Sequence, residues 1–256
     1  RTIGALSVGS NKKYKSNIGP VPGKVKFCKF NDVSHLKKLV NKKTVAIIIE
    51  FVQGDGGINI CSKNFAKAIK GICKNKKILL IGDEIQGGIG RTGKIFAYKH
   101  YGVNPDIITS AKGLGSGIPI GATIVKKYIS KIISTGFHGS TFGGGMLQTR
   151  VSYNVFKTIN TKRFLNKVLI NGNLLSSLIK KMHHLHKDKI VDTRCLGLMA
   201  GVEFKNNQIA LKTYEKMSKN GLISTLIQGN IIRLTPPLIV SSEEIRKAIK
   251  IITQSL

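Results

Sequence analysis

The sequence predicts an α/β protein, with a large portion (residues 1–160) on a mostly parallel sheet and a smaller C-terminal α/β portion (161–256). Three observations carry this expectation. Apolar runs at 44–51 (TVAIIIEF), 78–81 (ILLI), 106–110 and 119–125 do not alternate, so they read as strands covered on both faces. A helical stretch at 62–74 separates the first two, the strand–helix–strand order of a parallel sheet. Beyond residue 160 the pattern becomes a long helix, a strand–turn–strand at 190–204, and two further helices around an apolar run.

Taken in order, residues 2–8 are expected as a strand, followed by a loop with Tyr14, Pro20, Pro22 and Gly23. A helix is expected to Val40, with Asp32 or Ser34 as cap. In the helix at 62–74, Phe65, Ile69, Ile72 and Cys73 share one face. Helices are expected at 148–159, 164–185 and 210–220, the last stopped by Gly221 at C′. Ser241, followed by Glu243 and Glu244, opens the final helix with a capping signal.

The chain has 256 residues and a net charge of +30, and 35 of its 42 basic residues are lysine. The lysines are dispersed, alongside abundant Ile and Asn, which is the mark of an A/T-rich coding sequence. Basic residues with interleaved aromatics would indicate a nucleic-acid binder, and no such stripe or binding module is present. The four cysteines, Cys28, Cys61, Cys73 and Cys195, form no CxxC pair and read as free thiols. With no apolar run long enough for a membrane span, the expectation is a soluble, cytoplasmic protein.

The run at 78–81 ends on Gly82-Asp83-Glu84, and the run at 106–110 delivers Lys112 into Gly113-Leu114-Gly115-Ser116-Gly117. One strand tip thus presents an acid and the next an amine, at the strand ends where open α/β sheets bind ligands. Read alone, these residues have plainer roles. Asp83 could cap a turn, Lys112 could be solvated surface, and the glycine-rich stretch at 54–57 could be a simple strand-to-helix turn. The stretch at 87–93 lacks the Walker ending and spacing, so it reads as an irregular loop with Arg91 structural. His183 and His186 share a helix face, which makes a metal site conceivable, but a solvated helix end is the better reading.

DEIQGGIGRTG followed by PDIITSAKGLGSG resembles the class III, pyridoxal-phosphate-dependent aminotransferases, a fold-type-I family, and within it the acetylornithine and succinyldiaminopimelate branch. The resemblance implies that Lys112 condenses with the aldehyde of pyridoxal 5′-phosphate and carries the proton. It implies that Asp83 supports the ring nitrogen, and that Glu84, Ile85 and Gln86 line the same side, Gln86 near the phenolic oxygen. A carboxylate at that nitrogen keeps it protonated, and the protonated ring withdraws electrons. A desolvated Lys112 would be a stronger nucleophile.

In the family, the loop matching His138-Gly139-Ser140-Thr141 crosses a dimer interface. Thr141 would then reach the phosphate in the neighbouring subunit, and Ser140 the substrate. Without the resemblance the loop is a polar turn. Asp55 stands where the family has a glutamate that gates a substrate arginine, one methylene shorter, and Phe51 replaces a proline. Arg233, in IIRLTPPLI, matches the arginine that grips the α-carboxylate, a task suited to a planar guanidinium. Arg1 matches a second carboxylate-binding arginine. The chain opens at Arg1-Thr2, so the resemblance implies an N-terminally truncated large domain that lacks the stacking aromatic and a phosphate turn.

The implied reaction moves an amino group from N-acetylornithine, and possibly succinyldiaminopimelate, to 2-oxoglutarate, giving glutamate, in a homodimer. Ornithine or 4-aminobutyrate aminotransferase, or a non-catalytic remnant, are the alternatives, and neither specific nucleic-acid nor membrane partners are expected.

Overall fold

The computed structural model describes residues 2–256. The chain divides into two compact units, Arg1–Thr44 and Val45–Leu256, so this division does not coincide with the boundary expected near residue 160.

In the first unit, residues 3–8 form a helix, α1 (Ile3–Val8), rather than the expected strand. The Leu6 amide donates to the Thr2 carbonyl at 2.9 Å. Among the described residues no strand pairs with this segment, so its backbone groups are satisfied locally, and Ala5 and Leu6 favour the helix. In α2 (Val33–Leu39) the expected cap is present, with Asp32 accepting the His35 amide at 2.8 Å.

The second unit continues with β1 (Ala46–Ile49), β2 (Val52–Gln53), β3 (Asn59–Ile60), α3 (Lys63–Lys76), β4 (Leu79–Asp83), β5 (Ile107–Ser110) and β6 (Ala122–Val125). These are followed by α4 (Lys127–Ser130), α5 (Met146–Ile159), α6 (Lys162–Leu185), β7 (Ile190–Leu196) and β8 (Met199–Phe204). Last come α7 (Asn207–Lys219), β9 (Thr225–Ile227), β10 (Ile231–Leu234) and α8 (Ser242–Ser255).

One sheet has the order β1-β4-β5-β6, with β1, β4 and β5 parallel and β6 antiparallel to β5. The register sets Ile49 beside Gly82 and Asp83 beside Thr109. Among the described residues β1 pairs on one side only, and Val45 before it and Ile48 within it are exposed. Its apolar continuity therefore does not mean cover on both faces, as the sequence suggested. The connection from β4 to β5 carries no α-helix. It is an irregular loop with one 3-10 turn at Ala97–His100, because closely spaced glycines at 87, 88, 90 and 93 disfavour a helix.

The second sheet, β7-β8-β10-β9, is antiparallel throughout. Residues of α6, α7 and α8 cover it, and their shared core includes Val168, Ile179, Phe204, Met217, Ile232 and Ile252. A full capping box of Ser241 and Glu244 starts α8. At the end of α7, Gly221 takes φ +81°, the left-handed geometry that suits a C′ glycine.

Candidate active site

The carboxyl ends of β1, β4 and β5 lie side by side, so the residues just past them converge. Asp83 closes β4, and its Oδ1 accepts the Ile85 amide at 3.1 Å and the Thr109 hydroxyl at 3.2 Å. The second of these follows from register, since Thr109 is the strand partner of Asp83 and points to the same face. Among the described residues no hydrogen bond reaches Asp83 Oδ2. The carboxylate is thus fixed by one oxygen while the other stays available to an N–H donor.

Lys112 follows β5 after two residues, with φ +47°, a left-handed backbone that is strained for a side chain with a Cβ. The desolvation expected of it is not met: the residue is exposed, because Gly113 and its neighbours offer no side-chain cover. Its charge still reaches the site, lowering the carboxyl pKa values of both Glu50 and Asp55.

Glu50, just past β1, received no role from sequence reasoning. The register that pairs Ile49 with Gly82 brings it level with Asp83. Its Oε2 accepts the Gly54 amide at 3.1 Å. Burial pushes its carboxyl up to about 7, and the charges of Asp83 and Asp55 add to the rise against the opposing Gly54 hydrogen bond and Lys112 charge.

Asp55 and Arg233 are 178 residues apart in the chain yet form an ion pair at 2.6 Å. The same Arg233 Nη1 donates to Gln86 Oε1 at 3.2 Å. Desolvation pushes the Asp55 carboxyl up, but hydrogen bonds from Arg233 and Gln86, with the Arg233 and Lys112 charges, hold it below its usual value. Gln228 Nε2 donates to the Asp55 carbonyl at 2.7 Å and ties the turn to the β9–β10 hairpin. The shorter acid therefore spans the distance to Arg233.

Glu84 is not a ligand-facing residue, contrary to its assignment from resemblance. It is 1% exposed, and its two oxygens accept the Ala97 amide at 2.7 Å and the Tyr98 amide at 2.9 Å. On a strand end, successive side chains point to opposite sides, so Asp83 and Glu84 cannot both face one ligand. Burial pushes the Glu84 carboxyl up to about 7. Ile85 contributes its backbone amide to Asp83. Arg91 is structural as expected, with Nη1 donating to the carbonyls of Leu198, at 3.1 Å, and Pro236.

Ser140 and Thr141 lie on an exposed turn. No contact brings them to Asp83 or Lys112 among the described residues, and Arg1 lies outside those residues. Glu50 and Thr109 were the residues missed, and both become visible only once strand register is known.

The family description "Aminotransferase class-III" matches residues 1–256. The chain belongs to the class III aminotransferases. It is 38% identical over 258 residues to ornithine aminotransferase 1 of Staphylococcus saprophyticus, covering all of this chain and 64% of that protein. It is 40% identical over 249 residues to acetylornithine aminotransferase of Methanocaldococcus jannaschii, covering 96% and 61%. Among solved structures, ornithine aminotransferase of Toxoplasma gondii superposes with a TM-score of 0.93 at 30% identity, over 100% of this chain and 61% of that one. The class III chain thus spans somewhat over three-fifths of the length of these relatives.

Class III aminotransferases depend on pyridoxal phosphate, and the donor set here fits that group. A carboxylate with one oxygen unengaged suits a protonated ring nitrogen, and a lysine amine at the next strand end suits an aldehyde. A further crystal structure of the Toxoplasma gondii enzyme is described as having partial occupancy of PLP at its active site.

Proposed function

We propose that the protein is a pyridoxal 5′-phosphate-dependent transaminase that takes an amino group from N-acetylornithine and delivers it to 2-oxoglutarate. The observation that supports it most is the delivery of Asp83 and Lys112 from adjacent parallel strands, with the Asp55–Arg233 pair beside them. The cofactor, when bound, supplies a reactive aldehyde and an electron-withdrawing ring. Asp83 would hold the protonated ring nitrogen by accepting its N–H hydrogen bond, while the Ile85 amide and Thr109 hydroxyl on Oδ1 keep the carboxylate from turning. Lys112 would hold the cofactor through its amine and would be the group that moves a proton at the donor carbon. Arg233 binds the α-carboxylate of glutamate or 2-oxoglutarate when Asp55 withdraws.

Ser140 and Thr141 act in a neighbouring subunit of a homodimer, Thr141 on the phosphate and Ser140 on the substrate. The surface around them supports this: Phe142 is 88% and Met146 89% exposed, with Ile132 and Phe137 also uncovered. An apolar group of this size on one loop and helix start calls for a partner surface. No helix among the described residues is long and apolar enough to cross a membrane.

The test has two parts. Borohydride reduction of the protein after addition of pyridoxal 5′-phosphate should fix a pyridoxyl group on Lys112, seen by peptide mass, and K112A should abolish it. Glutamate formation from 2-oxoglutarate should then favour acetylornithine over ornithine in kcat/KM. Ornithine as donor is the second reading, since both an ornithine and an acetylornithine enzyme are among the relatives at nearly equal identity. A pyridoxyl group on another lysine would sink the proposal.

A further inference from the structure

Gln86 sits where the Asp83–Gln86 segment meets the arginine. Its Oε1 accepts from Arg233 Nη1 at 3.2 Å, and the same nitrogen donates to Asp55 Oδ1 at 2.6 Å. The two acceptors differ in kind. The Asp55 side chain is charged and 75% exposed, so it can swing into solvent while Glu50 and Gln228 hold the backbone of its turn. Gln86 is neutral and part-buried, and it is pressed against Gly54 so closely that a Cβ there would lie 2.1 Å from its Oε1. Arg233 Nε is buried with no hydrogen-bond partner among the described residues, leaving donor capacity unused.

We infer that Gln86 is a specificity-determining residue, the neutral arm that keeps the Arg233 guanidinium aligned for a carboxylate once Asp55 lets go. The inference rests on reading Arg233 as the carboxylate site. While Asp55 is paired, the guanidinium charge is compensated and attracts little. When Asp55 leaves, the charge is exposed, but an arginine with no remaining acceptor would regain its rotamer freedom, and a carboxylate would have to order it again. A carboxamide holds the orientation without adding negative charge. A carboxylate in its place would keep Arg233 neutralised and repel the incoming acid.

Glutarate separates these effects, because it is a dicarboxylate with no amino or keto group to react. Its affinity is measured by titration calorimetry at about 0.15 M salt, where non-specific attraction to a basic protein is screened. Binding should be lost in R233M. Q86E should weaken it about tenfold or more, the equivalent of one charge-assisted hydrogen bond. Q86M should weaken it several-fold, and more in the D55A background, where Gln86 is the remaining arm. If R233M abolishes binding while Q86M changes nothing in either background, the inference fails and the carboxylate site stands. If R233M binds glutarate as well as the wild type, the carboxylate reading fails and takes the inference with it. Q86E, which preserves side-chain shape, guards against a folding defect in Q86M: wild-type affinity in Q86E also overturns the inference.

Discussion

Glu50 and Glu84 are carboxyl groups pushed up to about 7, chiefly by burial, and the sign of their effect on stability is definite. In the unfolded chain each titrates near 4.3, so between about pH 4.5 and 7 the folded state binds more protons than the unfolded one. Stability is therefore greatest at the acid end of that window, falls as pH rises through about 7, and is level above it. For Glu84, which is 1% exposed, the shift amounts to roughly 4 kcal/mol at most. Urea midpoints should fall from about pH 5 to about pH 8, and the double variant E50Q/E84Q should flatten the slope. A wild-type midpoint that rises over this interval would refute the assignment. Separately, E84A strips the Ala97 and Tyr98 amides of their acceptor, which should cost about 2–4 kcal/mol in chemical unfolding.

At the scale of elements, the turn between β2 and β3 is the part the catalytic reading depends on. Glu50 holds it through the Gly54 amide, Gln228 holds it through the Asp55 carbonyl, and its acid meets Arg233. G54A places a methyl into the Gln86 carboxamide, so Gln86 must leave Arg233. Dicarboxylate affinity should drop several-fold in G54A, in line with Q86M, while the unfolding midpoint moves by far less than in E84A. Equal loss of affinity and stability would mean the turn had collapsed rather than released one side chain. Arg91 works from the opposite side: it bonds the Pro236 carbonyl, three residues past Arg233. R91M removes the donor from both carbonyls, so it should destabilise by about 2 kcal/mol.

Much of this element list was legible in the chain. Apolar runs gave β4 and β5, the Ser241 and Glu244 pair marked α8, and Gly221 marked the end of α7. The failures have physical causes. The segment at 3–8 could not be read as a helix from apolar character, because only the lack of a pairing strand decides its backbone. Glu84 next to Asp83 could not be turned inward without knowing that 97–98 folds back to meet it. Glu50 and Thr109 join the site through register, which one sequence does not encode locally.

For the whole molecule, the net charge of +30 is the largest fact that the fold leaves unused. The lysines are spread along the chain, and few charges among the described residues are held in specific pairs, such as Asp55 with Arg233 beside the carboxyl strand ends, and Asp106 with Lys126 at 2.7 Å at the opposite end of the sheet. Dispersed positive charge attracts a polyanion by releasing its counterions and reads no sequence. The protein should therefore be retained on heparin at low ionic strength, and its affinity for duplex DNA should fall about tenfold or more between roughly 0.1 M and 0.3 M salt. Duplexes of different sequence should compete equally. R233M should elute with the wild type, since one charge among so many shifts the salt slope by about one unit or less. Selective binding of one duplex that persists at the higher salt would instead require a shaped basic surface, and would make the charge part of function rather than of composition.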